Sequence, residues 1–173
     1  MNFQPSPEIK DLLDPDEILQ QEFEYARETA LQANNDRTQV VNLYVILVGG
    51  VGSIALSVGA IPVELIAIVF FVLGVLGLFN VLKLIRLRQA WYDSVRAMNQ
   101  SKDSYIAHYP EMAPALHWRT TTIPASGKPG TITFDRVMLV ALMDSLAMGG
   151  GVYFLAQPLW LAGLVAAAFF GVQ

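Results

Sequence analysis

The sequence predicts an all-α polytopic membrane protein, built of two transmembrane helical hairpins, four spans in all, with a cytoplasmic antiparallel helical stalk. Three observations carry this expectation. Residues 40–82 hold two long apolar runs separated only by Gly59-Ala60-Ile61-Pro62-Val63-Glu64, and each run, at about 20 residues and 1.5 Å per residue, matches the roughly 30 Å hydrocarbon core of a bilayer. Residues 137–172 repeat the plan around Gln157-Pro158. All 11 Lys and Arg residues fall in 1–39 or 83–136 and none at either hairpin tip, so by the positive-inside rule those segments are cytoplasmic and the tips external. The expected location is the plasma membrane, multi-pass, with both termini cytoplasmic.

Composition narrows the field. Hydrophobic residues make up 54% of the chain, a little above the roughly 45–50% of soluble domains, and the excess is concentrated in the two apolar pairs, which leaves little material for a separate catalytic domain. The absence of cysteine removes disulfides, thiolate zinc sites and cysteine nucleophiles together. A net charge of −4 argues against a nucleic-acid partner.

Taken in order, the chain opens with a cytoplasmic segment, residues 1–39. Pro5, Pro7 and Pro15 stand among acids with no basic-then-apolar-then-small pattern, so no cleaved signal peptide is expected. Ser6-Pro7-Glu8 can cap a short turn through Leu13. A stronger helix start follows at Asp14 as N-cap, with Pro15 next and Asp16 and Glu17 in the first turn, where carboxylates suit the positive end of the helix dipole. Leu19, Phe23, Ala26, Ala30 and Ala33 recur at spacings of three and four and form one helical stripe. Nothing forces a break before Gly49, so this helix is expected to run straight into the first span. There Gly49, Ser53 and Ser57 fall four apart, a spacing that lets helix backbones approach closely in lipid.

The first hairpin, 40–82, closes with a second span carrying Gly74 and Gly77. Asn42 and Asn80 lie near the cytoplasmic ends of the two spans, at similar depth, where they can bond to each other or to interfacial water. After Leu82 come Lys83, Arg86, Arg88 and Arg96, with Leu84, Leu87, Trp91, Val95 and Met98 at helical spacing. This amphipathic helix, to about Tyr105, spans roughly 35 Å. Two placements fit it: a coiled-coil-like stalk with the N-terminal helix, or an in-plane position on an anionic membrane surface. The matching length and complementary stripe point to the stalk, with Phe23, Ala26 and Ala30 facing Trp91, Val95 and Met98.

The cytoplasmic segment 83–136 ends in an irregular loop with Pro110, Pro114, Pro124 and Pro129 and the run Ala125-Ser126-Gly127-Lys128. The second hairpin, 137–173, has a first run from Val137 to Ala156. Its last run, 159–172, is short at roughly 22 Å and is read as a fourth span, with a re-entrant segment or a helix buried among the others as alternatives.

Candidate chemistry is sparse. Asp144 is the one acid or base well inside a span, about 10 Å past the inner boundary. Its charged form is costly there, so it must be protonated, bonded to Ser145 or main chain, or turned toward water or a second copy of itself. His108, Glu111 and His117 lack the tight spacing of a zinc set. Gly127-Lys128 fails as a phosphate loop, because Thr122 replaces the first glycine and Pro129 the magnesium-binding hydroxyl. No Gly-x-Ser-x-Gly or His-Glu-x-x-His is present, so no enzyme, cofactor or metal is expected.

Tyr25-Ala26-Arg27-Glu28 on a helix entering a two-span hairpin, and Arg86-Leu87-Arg88-Gln89-Ala90-Trp91 on the helix leaving it, give residues 16–105 a layout that resembles SLATT-type two-span proteins. The resemblance is one of architecture and implies a membrane effector, pore formation included, in bacterial conflict systems. The second hairpin departs from that pattern. Two functions fit: a non-enzymatic membrane scaffold whose cytoplasmic helices dock a protein partner or self-associate, and an oligomeric ion channel that uses Asp144. The few polar groups in the spans favour the scaffold, with membrane lipids and a homo-oligomer or protein partner as its associates.

Overall fold

A computed structural model describes residues 14–57, 61–123, 128–156 and 158–173, with the side chains of 55–57 excepted. The turn expected after Ser6, the tip at Gly59-Ala60, the run 125–127, Gln157 and the Ser57 side chain lie outside the described residues. The described chain is all-helical: α1 (Pro15–Ser57), α2 (Val63–His108), α3 (Ile132–Ala156) and α4 (Leu159–Val172), with single 3₁₀ turns at Pro110–Met112 and Thr120–Thr122.

The helix starts follow local chemistry. Asp14 Oδ1 accepts the Asp16 N–H at 2.9 Å, so α1 begins at Pro15 as its acid-rich start requires. Pro62, which has no N–H to leave unsatisfied, lends its carbonyl to Leu65 and Ile66 at the head of α2. The third helix starts at Ile132, five residues ahead of the expected Val137. Thr131 Oγ1 accepts the Phe134 N–H at 3.3 Å and caps it there, just after Gly130 has turned the chain at φ 74°. Helices α1, α2 and α3 are long and apolar enough to cross a membrane. At 14 residues, α4 is shorter, about 21 Å.

The chain divides into two compact units, Met1–Ala33 with Ala90–Ala125, and Asn34–Gln89 with Ser126–Gln173. In the first, Pro15 and Leu19 line a pocket with Tyr105 and His108, so the head of α1 lies beside the tail of α2. Ala26, Ala30 and Ala33 are buried, and so are Ser94 and Asn99. Phe23 is half-buried, as are Trp91, Val95 and Met98. These last three line a groove with Trp118 and Ile123 of the segment after the helix. That segment is tied back. Arg119 Nε donates to Asp103 Oδ1 at 2.8 Å and the Thr120 N–H to Oδ2 at 3.3 Å. Thr120 and the Arg119 guanidinium hold the Asp103 carboxyl below the usual carboxylate range, so the tether is intact at neutral pH and weakens as acid protonates Asp103. Asp103→Ala should therefore speed tryptic cleavage after Arg119 several-fold under native conditions, while cleavage after Arg96, inside α2, stays slow.

The second unit packs Val40, Val41 and Tyr44 of α1 against Val81 and Leu84 of α2 and Val140 and Ala141 of α3, with Phe170 of α4 at the edge. Its close approaches are made by glycines other than the foreseen ones. A Cβ on Gly77 would overlap the Asp144 carboxyl and the Tyr44 hydroxyl, and one on Gly74 the Met148 thioether. On α3, a Cβ on Gly149 would stand 2.9 Å from the Ala162 carbonyl oxygen and from Ala166 Cβ of α4. A Cβ on Gly49, by contrast, would meet nothing within 4 Å, and the exposed Ser53 bonds back to the Gly49 carbonyl at 2.8 Å. Of the expected Gly49, Ser53 and Ser57 seam, Gly49 thus has open space beside it among the described residues. The difference is physical: α1 enters the core through Tyr44, a large side chain, which needs a glycine on the facing helix and not on its own.

The outer faces of the apolar helices carry Leu43, Ile46, Phe79 and Leu146, each more than 60% exposed. Exposed apolar side chains of that kind are unfavourable in water and natural in lipid.

Candidate functional site

The expected intramembrane acid is the centre of a closed polar cluster. Asp144 has no exposed surface, and Tyr44, across from it on α1, is 1% exposed. Each is set by its helix's inward stripe: Val40, Val41 and Tyr44 on α1, and Val140, Ala141 and Asp144 on α3, positions three and four apart. The space for the carboxyl is opened by Gly77 of α2, where a methyl would fill it and displace the Tyr44 hydroxyl as well.

The hydrogen-bond partners differ from those foreseen. Ser145 Oγ bonds the Ala141 carbonyl of its own helix at 2.7 Å and leaves Asp144 alone. Asp144 Oδ2 accepts from Gln173 Nε2 at 2.7 Å, and Oδ1 lies 3.3 Å from Tyr44 Oη, which is 3.2 Å from the Leu73 carbonyl oxygen of α2. Tyr44 has one hydroxyl proton for two oxygens. The hydroxyl is placed to donate to Asp144 Oδ1 or to the Leu73 carbonyl, Gln173 Nε2 donates to Oδ2, and among the described residues Gln173 Oε1 is buried without a hydrogen-bond partner. Four stretches of chain are thereby joined through one buried polar cluster.

The other polar candidates do not join it. Asn42 is exposed and lines a groove with Asp36, Gln39 and Lys83. Asn80 is half-buried. No hydrogen bond links the two among the described residues. His108 Nδ1 donates to the Ser104 carbonyl at 2.9 Å, and the His117 ring packs edge-on against Trp118 with centroids 5.5 Å apart. Among the described residues no group of His, Asp or Glu is placed to hold a metal ion.

A second polar layer, unforeseen in the sequence, closes the other end of the same core. Arg37 of α1 is 3% exposed. Its Nη1 donates to Thr133 Oγ1 of α3 at 2.8 Å and its Nη2 to Asn34 Oδ1 at 3.0 Å. Arg136 of α3 returns the contact, donating from Nη1 to Thr38 Oγ1 of α1 at 2.9 Å. Arg37 also feels the positive charges of Arg136 and of Arg88 on α2. The signal was present in the sequence: Arg37, Arg88 and Arg136 each stand four residues outside a core position, Val41, Leu84 and Val140.

Compared with protein-family models, with curated proteins and with solved structures, the chain matches none.

Proposed function

We propose that this chain is a non-enzymatic integral membrane scaffold. It spans the plasma membrane as two helical hairpins, keeps both termini and a coiled-coil-like stalk in the cytoplasm, and uses the stalk to dock a protein partner or a second copy of itself. The observation that supports this over a conducting role is the closure of Asp144. An acid that lines a pore must face water, whereas this one is wholly buried and engaged by Tyr44 and Gln173. Its part is to pin α1, α2 and α3 together. The small buried side chains Ala26, Ala30, Ala33 and Ser94 suit close helix pairing in the stalk. On this reading the SLATT-like layout of residues 16–105 describes architecture, and the pore-forming effector is the alternative that flux decides.

The test reads complex mass and ion flux together. Asp144→Asn retains size and hydrogen bonding while removing the ionisable proton. The mutant should match the wild type in detergent-solubilised mass and in co-purifying protein, and neither should conduct in reconstituted vesicles shown to hold the native oligomer. A wild-type protein that conducts, with an Asp144→Asn protein that does not, would replace the scaffold with the channel.

A further inference from the structure

A groove between α1 and α2 changes character along its length. Asp36, Gln39, Leu43 and Ile46 recur at spacings of three and four, so one stripe of α1 lines it, and Asn42 with Lys83 of α2 completes a volume of about 500 Å³. The stripe is polar at Asp36 and Gln39 and apolar at Leu43 and Ile46, which are 70% and 71% exposed. The change falls at Val40, where the apolar run of α1 begins, and Lys83 directly follows the end of the α2 run at Leu82.

Charge and depth add a second argument. The polar part of the groove holds one acid and one base, and among the described residues Asp36 and Lys83 form no ion pair with each other. Counted along the helices, Asp36 lies about 6 Å outside Val40 and Lys83 about 2 Å outside Leu82. The polar headgroup layer on each side of a bilayer is about 5–8 Å thick, so both charges stand within it, with the base on the inner side and the acid on the outer. A phospholipid with an ammonium headgroup carries its parts in the same order: acyl chain, phosphate, cation.

We propose that this groove binds phosphatidylethanolamine, with the phosphate on Lys83, the ammonium on Asp36 and an acyl chain along Leu43 and Ile46. A primary ammonium has three N–H donors, and the Asp36 carboxylate with the side-chain carbonyls of Gln39 and Asn42 supplies acceptors for them. A choline headgroup has the same charge and no N–H to offer. Phosphatidylglycerol has no cation to meet Asp36. Lys83 suits the deeper place, since its aliphatic stem lies along apolar surface while its charge stays with the headgroups. The assignment rests on the reading of α1 and α2 as membrane spans and is independent of the scaffold role.

The experiment uses the full chain in a neutral detergent and reads thermal stabilisation and the lipid retained in native mass spectrometry. The probes are phosphatidylethanolamine, its N-methyl and N,N-dimethyl forms, phosphatidylcholine and phosphatidylglycerol. Retention should fall stepwise as methyl groups replace N–H donors, with charge unchanged throughout. Asp36→Asn and Lys83→Gln should each weaken phosphatidylethanolamine binding at least about fivefold, whereas Arg86→Gln, an exposed cation on the same stretch of α2, should leave it within about twofold. Equal retention of phosphatidylethanolamine and phosphatidylcholine would overturn the site, as would binding indifferent to Asp36 and Lys83. Stronger retention of phosphatidylglycerol, unchanged by Asp36→Asn, would also overturn it and leave only a cationic surface. A chain that fails to insert into vesicles of any of these lipids would overturn the spans and the site together, while one that inserts without telling the lipids apart would overturn the site alone.

Discussion

Gly77→Ala should destabilise the protein by about 1–3 kcal/mol, the usual cost of forcing one extra methyl into a filled core, seen as a drop in thermal midpoint in detergent. The added methyl has no room, since its place is taken by the Asp144 carboxyl and the Tyr44 hydroxyl. Neither can swing aside into space, because both residues are buried. The loss should therefore include the hydrogen bonds of the polar centre as well as the clash. Gly52→Ala is the matched control. A Cβ there meets nothing within 4 Å, and alanine is the better helix former by up to about 1 kcal/mol, so stability should hold or rise. Equal effects at Gly52 and Gly77 would mean that helix propensity, not the fit against Asp144, governs both.

The largest single loss is expected at Tyr44. Tyr44→Ala removes an aromatic ring from the centre of the core shared by α1, α2 and α3, a change that costs about 3–5 kcal/mol in well-packed interiors. Tyr44→Phe separates the two halves of that loss. It retains the ring and removes only the hydroxyl, which leaves Asp144 Oδ1 without its partner for a cost of about 1–3 kcal/mol. Combining Tyr44→Phe with Asp144→Leu removes both sides of the bond and should recover part of the deficit. Chemical denaturation of the four proteins in one detergent makes the comparison. If Tyr44→Phe is as stable as the wild type, the hydroxyl is idle and the polar centre does not hold the helices together.

How much of this could be read beforehand depended on distance along the chain. Helix starts are local chemistry, and Asp14-Pro15 announced α1 correctly. The apolar run at Val137 points to a later start for α3 than the one observed, because the cap that sets it, Thr131, follows a glycine turn in polar sequence. Asp144 stood out as an acid in an apolar run, but its partners Tyr44 and Gln173 lie 100 and 29 positions away, and nothing in either residue's neighbourhood marks it. Ser145, a polar group within the apolar run, satisfies itself on its own helix turn. Glycine was informative in a different way. Gly77, like Gly74, interrupts a run of bulky residues, where a small position signals that something large comes close, while a Cβ on Gly49, Gly50 or Gly52 would meet nothing within 4 Å among the described residues.

The closed centre at Asp144 also bears on biogenesis. An aspartate near the middle of a candidate span adds about 2.5–3.5 kcal/mol to the cost of handing that helix from the translocon to lipid, so α3 enters the bilayer at a disadvantage that α2 does not share. What would offset it, the Tyr44 hydroxyl of α1 and the pocket over Gly77 of α2, belongs to helices synthesised earlier. If the helices span as proposed, the first two would serve as the receiving surface for the third, and an α3 segment expressed without them should insert poorly although its length suffices.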